Sequence, residues 1–579
     1  MNMRVLSILC FVALLCVSHA IQSQEKDDLG TEVVNVVKPY TPSISDAFKV
    51  KEMPILNDSL QTTKKKVEYG IFSVPVASTF TPSKGKAATV EKAKPLTLYD
   101  NYASLGFGNY TSILAELYTN FQISRTDNFG IFLKHHSSQG GIKDVLLDDK
   151  FYATRIDANY TSRPKGASYR LDAGIEHQLY NWYGLNESYD LATSEFIKAI
   201  DPAQTYFSAY LGGSISFEDS FFEKTSVQLR YLGDAFSSSE INFKAKPEFT
   251  FPLNEIHLKV DGDINYVSGS FDRDYFNLED ISYTFLNLGV LPSLVYVNED
   301  LTLSLGAAAY FSVDSENSEF EFSIYPKINA SYRLVDELLV VYGGADGGLT
   351  QNTYYSFKEE NPYVSPNLRI TPTNQLYKAF GGLKGKLSSS VGYNVRASYG
   401  KEENKALFVL QPYKGQLMDA EGYEQGNSFG LTYDDVTTLS VFGELKVEVD
   451  ENFSLGASVT FNSYDNTGEN ETWNLPALQA SVFSDFNIIK KIYGGASLFY
   501  QGERKDLFFA RSPFANTVPV EVTLNSYVDA NVHFGYRFSE RLNFFLKGSN
   551  LLSDSYQKWL NYPVQGIQGL LGATYKFDW

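Results

Sequence analysis

The residues that could carry out catalysis or bind a metal ion are few and widely spaced in this 579-residue chain. The only two cysteines, Cys10 and Cys16, lie in the N-terminal apolar run, so no thiol remains after residue 20 for a disulfide, a thiolate metal site or nucleophilic catalysis. His135 and His136 are adjacent, and adjacent side chains on a strand point to opposite faces, which keeps the pair from binding one metal ion. We therefore expect no catalytic residue, no metal site, no cofactor and no enzymatic activity.

Charged side chains instead recur at every second position of several segments. The clearest examples are Lys259, Asp261, Asp263, Asp529, His533 and Arg537. Because side chains alternate across a strand, each set occupies one polar face opposite an apolar one. We expect these polar faces to line the interior of a barrel, where a wet lumen requires polar residues whether or not a ligand binds.

The alternation of apolar and polar residues extends from about residue 102 to the C-terminus. In residues 319–334 the even positions are apolar and most of the odd positions are polar. Runs of about 9–15 residues are longer than the typical strand of a soluble protein and long enough to cross a bilayer at a tilt. The pattern predicts an all-β protein, a transmembrane antiparallel β-barrel of about 22 strands, with 20 as the alternative.

The connections between these runs support the same architecture. Short turns are predicted at 125–128, 162–166, 218–220, 252–255, 297–300, 334–337, 450–452 and 539–542. Longer polar links are predicted at 139–149, 181–204, 269–279, 351–373, 412–435, 503–523 and 552–565. Short periplasmic turns that alternate with long outer loops are typical of outer-membrane barrels.

Two of the longer links contain residues that suggest either a binding site or a purely structural role. The link 351–373 holds Tyr354, Tyr355, Phe357 and Tyr363, which could bind a sugar or a protein or could pack the loops onto one another. The link 412–435 is acidic, so it could bind calcium or could simply be solvated.

The N-terminal hundred residues differ from the rest of the chain. Residues 1–20 have the positive start, short apolar core and small-residue end of a signal peptide. Residues 21–98 are rich in proline and lysine, which predicts a periplasmic arm that could act as a partial plug, with a small folded domain as the alternative. The barrel is expected over residues 99–579. The formal net charge of −19 argues against nucleic acid as a partner.

The last strand of the sequence has one apolar and one polar face. The apolar face consists of Leu571, Ala573, Tyr575, Phe577 and Trp579. This pattern resembles the C-terminal strand by which outer-membrane barrels are recognised during assembly, although that strand usually ends in Phe. The resemblance implies that outer-membrane lipid and the barrel-assembly machinery are partners, and we expect this strand to close the barrel against the strand near Tyr102.

Four stretches resemble TonB-dependent outer-membrane receptors of the Bacteroidetes type. They are residues 547–556, 569–579 and 325–332 and the segment Glu32, Val33, Val34, Asn35, Val36, Val37, which resembles the short box that pairs with TonB. The departure from the family is the short segment before the barrel, because such receptors carry a plug domain of well over a hundred residues. The resemblance thus implies a receptor-like barrel without a conventional plug.

The resemblance implies a place in the outer membrane of a Gram-negative bacterium and a role in binding or transporting a solute. A TonB-type energy transducer or another envelope protein would be the partner. The alternative is a structural or assembly subunit of an envelope complex, whose pore is sealed by the arm or by a partner. The arm carries a net charge near +2, and the barrel region that follows it carries a net charge near −22. This opposite charge would favour an arm that lies inside the lumen.

Overall fold

The computed structural model describes residues 98–186, 194–277, 279–414, 420–450, 452–510 and 518–579. The expected signal peptide, nearly all of the expected arm and the TonB-box-like segment from Glu32 to Val37 lie outside the described residues. The expected partial plug therefore stays a prediction.

The described residues form one closed antiparallel β-barrel of 22 strands, which confirms the predicted fold and strand number. The barrel strands are β1 (Asn101–Gly108), β2 (Ile113–Gln122), β3 (Asp127–Ser138), β4 (Phe151–Ser162), β5 (Ala167–Asn181), β6 (Ala203–Phe217), β7 (Phe222–Asp234), β8 (Ser239–Leu253), β9 (Ile256–Phe271), β10 (Ile281–Val297), β11 (Leu301–Asp314), β12 (Glu319–Val335), β13 (Leu339–Thr350), β14 (Thr373–Ser388), β15 (Val391–Leu410), β16 (Phe429–Asp450), β17 (Phe453–Asn466), β18 (Leu478–Ile489), β19 (Ile492–Gln501), β22 (Tyr527–Arg537), β23 (Leu542–Ser549) and β26 (Gln568–Phe577). Each pairs with the next barrel strand along the chain, and one further ladder joins the last barrel strand to the first.

Strand β26 closes the barrel. It pairs with β23 on one side and with β1 on the other, where Lys576 lies opposite Tyr102. The hydroxyls of Ser104 and Thr574 are 2.9 Å apart across this seam and are buried. The expected pairing of the last strand with the strand near Tyr102 is confirmed, and the closed ring leaves no barrel strand with an unpaired edge.

The two faces of the barrel wall differ in polarity as the alternation predicts. In β12 the side chains of Phe322 and Ile324 are 62% and 65% exposed on the outer face, and the carboxylate of Glu321 lies on the opposite face. The same division recurs in strand after strand, for example with Val395 and Tyr399 on the outer face of β15. A wall with an apolar exterior and a polar interior suits a hydrocarbon surround and a wet lumen.

Long and short connections lie at opposite ends of the barrel. All eight predicted short turns lie at the end that carries both termini of the barrel, called here the inner end. All seven predicted long links lie at the other, outer end. Three outer connections, 109–112, 235–238 and 315–318, are as short as the inner turns, so the predicted alternation of length holds for most hairpins but not for all.

The long outer connections contain structure that the sequence patterns did not predict. They hold the helices α1 (Ser194–Ala199) and α2 (Tyr354–Glu360), a 3-10 turn (Gly422–Glu424), the hairpin β20 (Arg504–Ala510) and β21 (Val518–Leu524), and the short pair β24 (Gln557–Trp559) and β25 (Tyr562–Pro563). Within the part of the chain that the structure describes, no helix is long and apolar enough to cross a membrane.

Candidate functional site: a loop cap over a polar lumen

The outer connections pack together into a cap over the outer end of the barrel. The loop cap is defined here as the described residues of connections 139–150, 182–202, 272–280, 351–372, 411–428, 467–477, 502–526 and 550–567. Its apolar core includes Leu147, Tyr183, Phe357, Leu368, Leu524 and Trp559, which come from five of these connections, and continues into strand residues such as Phe271 and Phe408. Burial of so many large side chains makes the cap a packed structure rather than a set of solvated loops.

Aromatic stacking joins loops that are far apart in the sequence. The rings of Tyr363 and Tyr562 stack with 3.8 Å between centroids, and Tyr183 packs edge-on against Tyr562 at 4.8 Å. The indole N–H of Trp182 donates to the carbonyl of Tyr363 at 3.1 Å. The aromatics of the link 351–373 therefore pack the loops onto one another, which is one of the two roles that the sequence suggested.

Helix α2 lies inside the mouth of the barrel. Thr353 caps its first turn, where the Thr353 hydroxyl accepts from the Ser356 N–H and the Ser356 hydroxyl accepts from the Thr353 N–H. The side chain of Phe357 packs against Phe408 of β15, with ring centroids 5.7 Å apart. Since the helix also contacts lumen-facing side chains of β5, β7 and β8, it reaches across part of the opening.

A buried carboxylate holds the start of this helix. Glu240 of β8 is 2% exposed and accepts from the N–H of Tyr354 at 2.6 Å, the N–H of Tyr355 at 3.1 Å and the hydroxyl of Tyr283 at 2.7 Å. The hydroxyl of Tyr354 donates to Asp234 of β7 at 2.8 Å. A carboxylate at a helix N-terminus satisfies amide donors that have no partner in the helix and interacts favourably with its dipole.

A buried lysine holds the end of the helix. Lys358 is 2% exposed, and its ammonium donates to Gln178 of β5 at 2.7 Å and to Glu359 at 2.6 Å. The Glu176 carboxylate is 3.8 Å away, and the ring of Tyr355 lies below the ammonium at 4.6 Å. A lysine buried with paired charges and hydrogen bonds is expensive to displace, so α2 is fastened to the lumen wall at both ends.

The acidic connection between β15 and β16 is tied into the cap. Its Glu424 is buried, forms ion pairs with Lys414 at 2.7 Å and with Arg273 at 2.9 Å, and lies beside the buried ring of Tyr423. In the described part of the chain no group of three or more His, Cys, Asp or Glu residues is placed to hold a metal ion. Residues 415–419 of this connection lie outside that part.

The hairpin β20–β21 is anchored by a buried aspartate. Asp506 is fully buried, and its Oδ1 accepts from the N–H groups of Leu507 at 2.8 Å and Leu410 at 3.3 Å. Burial raises the pKa of Asp506 to about 7, against the hydrogen bonds that lower it. Arg504, also buried, donates to the carbonyls of Gln557 and Lys558. The hairpin is thus bound to both β15 and the β24–β25 pair.

The six lumen residues singled out in the sequence divide between two walls. Lys259, Asp261 and Asp263 lie on the inner face of β9, where Asp263 accepts from the Tyr310 hydroxyl at 2.9 Å. Asp529, His533 and Arg537 lie on the inner face of β22, where Asp529 accepts from Tyr556 and Arg537 donates to Asn487. Strands β9 and β22 stand on opposite sides of the ring, so the structure does not bring the two sets into one site.

The apolar face of the last strand lies on the outside of the barrel. Leu571 and Trp579 are 63% and 77% exposed, and the Trp579 ring stacks on Phe121 of β2 with centroids 5.5 Å apart. Tyr575 and Phe577 stack along the same face, and Ala573 lies between Leu571 and Tyr575. The indole therefore reaches across β1 to the second strand, at the inner rim of the barrel.

The adjacent histidines do not form a site. His135 bonds to Thr154 and Ser137 on one face of β3, and His136 packs edge-on against Phe151 on the other. Sequence reasoning missed the residues that do form the cap anchors, Glu240, Lys358 and Asp506, because nothing in their local sequence distinguishes them from solvated charges.

No family model and no curated protein matches the sequence. Solved structures do match. The chain is similar to Pseudomonas aeruginosa FpvA bound to heterologous pyoverdines (11% identity, 83% of this chain and 72% of that one, TM-score 0.61). It is also similar to Fiu, the ferric-catecholate import receptor of Escherichia coli K12 (12%, 83% and 82%, 0.58) and to the siderophore receptor PirA of Acinetobacter baumannii (12%, 84% and 81%, 0.59).

At these identities the likeness establishes the fold. The chain has the 22-strand barrel fold of TonB-dependent outer-membrane receptors, which confirms the resemblance at that level. The three matched proteins are transport or siderophore receptors, and none of their descriptions names an enzymatic activity.

Proposed function

We propose that the protein is a barrel of the outer membrane of a Gram-negative bacterium that binds a solute at its outer end and passes it through the lumen. The observation that carries this proposal is the combination of a closed 22-strand wall, apolar outside and polar inside, with a folded loop cap over one mouth. Transport is favoured by the receptors and importer that share the fold. No catalytic role is proposed for any residue.

The connection 351–372 is the element that must move for a solute to pass. Its helix α2 lies across part of the mouth, and its ties to Glu240 at one end and, through Lys358, to Gln178 at the other are local polar contacts rather than strand pairing. Local contacts of this kind open at a lower free energy than the hydrogen-bonded wall of a barrel. The loop can therefore be displaced while the barrel remains closed.

Replacement of residues 351–372 by a short Gly-Ser linker tests this role. In planar bilayers the variant should conduct strongly, whereas the parent protein should conduct weakly or only in brief events. A matched control inserts a Gly-Ser pair in the outer turn 315–318, which lies outside the loop cap. Equal conductance of the loop variant and the parent would contradict the proposal, and strong conductance of the control would show that any altered outer connection opens the barrel.

The N-terminal segment from Glu32 to Val37 is proposed to couple the barrel to a TonB-type energy transducer. Support comes from the resemblance of Glu32, Val33, Val34, Val36 and Val37 to the box that adds a strand to TonB, a pairing that needs backbone N–H groups. A Val34→Pro change removes one N–H and should abolish energised uptake without reducing the amount of protein in the outer membrane. The control is Ala88→Pro, elsewhere in the arm, which should leave uptake unchanged; loss of uptake in both variants, or in neither, would contradict the assignment.

A further inference from the structure

One wall of the lumen carries a row of cations. The side chains of Lys378, Lys384, Arg396 and Lys446 project from β14, β15 and β16 on the face opposite the exposed apolar residues Leu383, Val395 and Leu445. Arg333 of β12 extends the row, because Val340 of β13 lies opposite both Arg333 and Lys384. We call these five residues the basic wall.

The basic wall runs along the barrel rather than around it. In the strand register Lys378 lies opposite Gly400 of β15, Lys384 opposite Asn394 and Lys446 opposite Gly392. Together with Arg396 they occupy four levels of β15 that span eight residues, or about 26 Å at the usual rise of about 3.3 Å per residue. Because barrel strands tilt by about 40°, these levels cover about 20 Å of the barrel axis, or roughly two thirds of a bilayer core of about 30 Å, so the cations line much of the length of the lumen.

The members of the basic wall have carboxylates nearby but are not held in ion pairs with them. Within the residues that the structure describes, none of the five makes an ion pair within 4.0 Å or a side-chain hydrogen bond, and all five are exposed to the lumen. Some lumen cations elsewhere are paired, for example Arg155 with Asp157 at 2.7 Å and Lys327 with Asp346 at 2.6 Å. Among the described residues Lys246 of β8 and Lys259 of β9 also form no ion pair within 4.0 Å, so the basic wall is distinguished by the number of its cations and by the cavity that three of them line.

The surroundings of the basic wall favour anions. The rings of Tyr342 and Phe442 lie 5.3 Å and 5.8 Å from the charged groups of Lys384 and Arg396, which holds these side chains over the wall. A cavity of about 470 Å³ is lined by Arg333, Lys384 and Lys446 together with Glu444, Asp336 and the paired residues Lys386 and Glu337. Four cations and three carboxylates line this cavity, although the whole chain has a net charge of −19.

We propose that the basic wall binds an anionic solute and guides it along the lumen, the solute being a small molecule with several phosphate, sulfate or carboxylate groups. Unpaired lysine and arginine side chains that line a pore select anions, because they replace part of the hydration of the anion and raise its local concentration. Successive levels hand the anion from one cation to the next without a single site strong enough to trap it. The inference rests on the proposed function, since it names the class of solute that the lumen carries.

The test is a binding measurement on the full-length protein in detergent micelles. Inorganic triphosphate is titrated into the protein at low salt and binding is measured by isothermal titration calorimetry. Spermidine, a cation whose charge is similar in magnitude and opposite in sign, is titrated in a separate experiment. The double variant K384Q/R396Q should weaken triphosphate binding by about tenfold or more, since each removed charge contributes a factor of several at close range. The control variant K246Q/K259Q removes two charges from lumen-facing positions of β8 and β9 and should leave the affinity unchanged.

Each outcome decides the inference. Triphosphate binding that weakens only in K384Q/R396Q and that falls with added salt supports the basic wall. Equal loss in both double variants, or no preference of the parent protein for triphosphate over spermidine, overturns it. Binding in micelles needs neither an energy transducer nor loop opening, so retained triphosphate binding in a protein that fails in uptake would refute the transport proposal and leave the anion site in place.

Discussion

Glu240 offers the sharpest test of how the outer mouth is kept closed. Its buried carboxylate accepts three hydrogen bonds, two of them from the first amides of helix α2. Glutamine has the same shape, but only one of its two terminal atoms accepts, so E240Q leaves at least one amide or hydroxyl donor without a partner. An unsatisfied buried donor costs about 2 kcal/mol, and loss of the charge at the helix N-terminus adds about 0.5 kcal/mol.

A total of about 2.5 kcal/mol corresponds to an increase on the order of 50-fold in the fraction of molecules in which α2 is detached. Hydrogen exchange measures this fraction at the amides of Tyr354 and Tyr355, whose protection should fall by that factor. Single-channel recordings should show more frequent openings in the same variant. The two measurements are independent, because the first reports the helix and the second reports the lumen.

The control is E248Q, the same substitution on the same strand and the same face. Among the described residues the side chain of Glu248 makes no hydrogen bond or ion pair, so its replacement should not change the protection of Tyr354 and Tyr355. If E240Q and E248Q give equal protection, the carboxylate does not hold the helix. If E240Q lowers protection without more frequent openings, the helix is released but is not the barrier to conduction.

Three further changes test the cap and the closing strand. The pKa of Asp506 is raised to about 7 from its usual 3.8, so docking of the hairpin β20–β21 should be strongest at low pH and should weaken as the pH rises from about 4 to 7. Hydrogen exchange of the Leu507 amide measures this docking. The variant D506N should remove the pH dependence. Lys358→Met should loosen the end of helix α2 by about 2 kcal/mol and speed exchange there, since Glu176 is left without its buried partner. Trp579→Asp should reduce the yield of folded, heat-modifiable barrel in the outer membrane, since it puts a charge on the apolar rim.

These three predictions have distinct controls. For the hairpin, the control is Glu521→Gln on the exposed face of β21, which should leave the pH dependence of docking intact. If exchange of the Leu507 amide in the parent protein did not change with pH, a neutral buried Asp506 would be contradicted. For the helix end, Lys198→Met in α1 is the matched substitution and should have no effect on α2. For the last strand, Trp579→Phe should assemble normally, and normal assembly of Trp579→Asp would count against the role assigned to that face.

The sequence predicted the wall of this protein closely because a membrane barrel repeats one physical rule. Every strand must alternate apolar and polar residues over the thickness of a bilayer, so the short turns predicted at 218–220, 252–255 and 539–542 coincide with the observed ends of β6, β8 and β22. A larger difference is found where a strand continues into the loop cap: the link predicted over 412–435 ends earlier, because β16 begins at Phe429. There the strand leaves the bilayer and its alternation gives way to packing against other loops.

The candidate site could not be predicted in the same way. Tyr363 and Tyr562, or Glu240 and Tyr354, are far apart in the sequence, and only the closed ring brings them into contact. A buried glutamate or lysine has no local pattern that separates it from a solvated one, since burial depends on neighbours supplied by other loops. The links between strands were therefore expected to be polar connections, whereas the structure packs them around a common core.

The sequence by itself determined the kind of wall, the number of strands and the strand that closes the barrel, because period-two alternation over bilayer length needs no long-range contact to be recognised. Only the tertiary structure decided which loops meet over the mouth, that Glu240 and Lys358 fasten helix α2 to the lumen wall, and that five cations line one wall without forming ion pairs among the described residues. The physical reason is that register and ring closure set these neighbours, and neither is visible in any single segment.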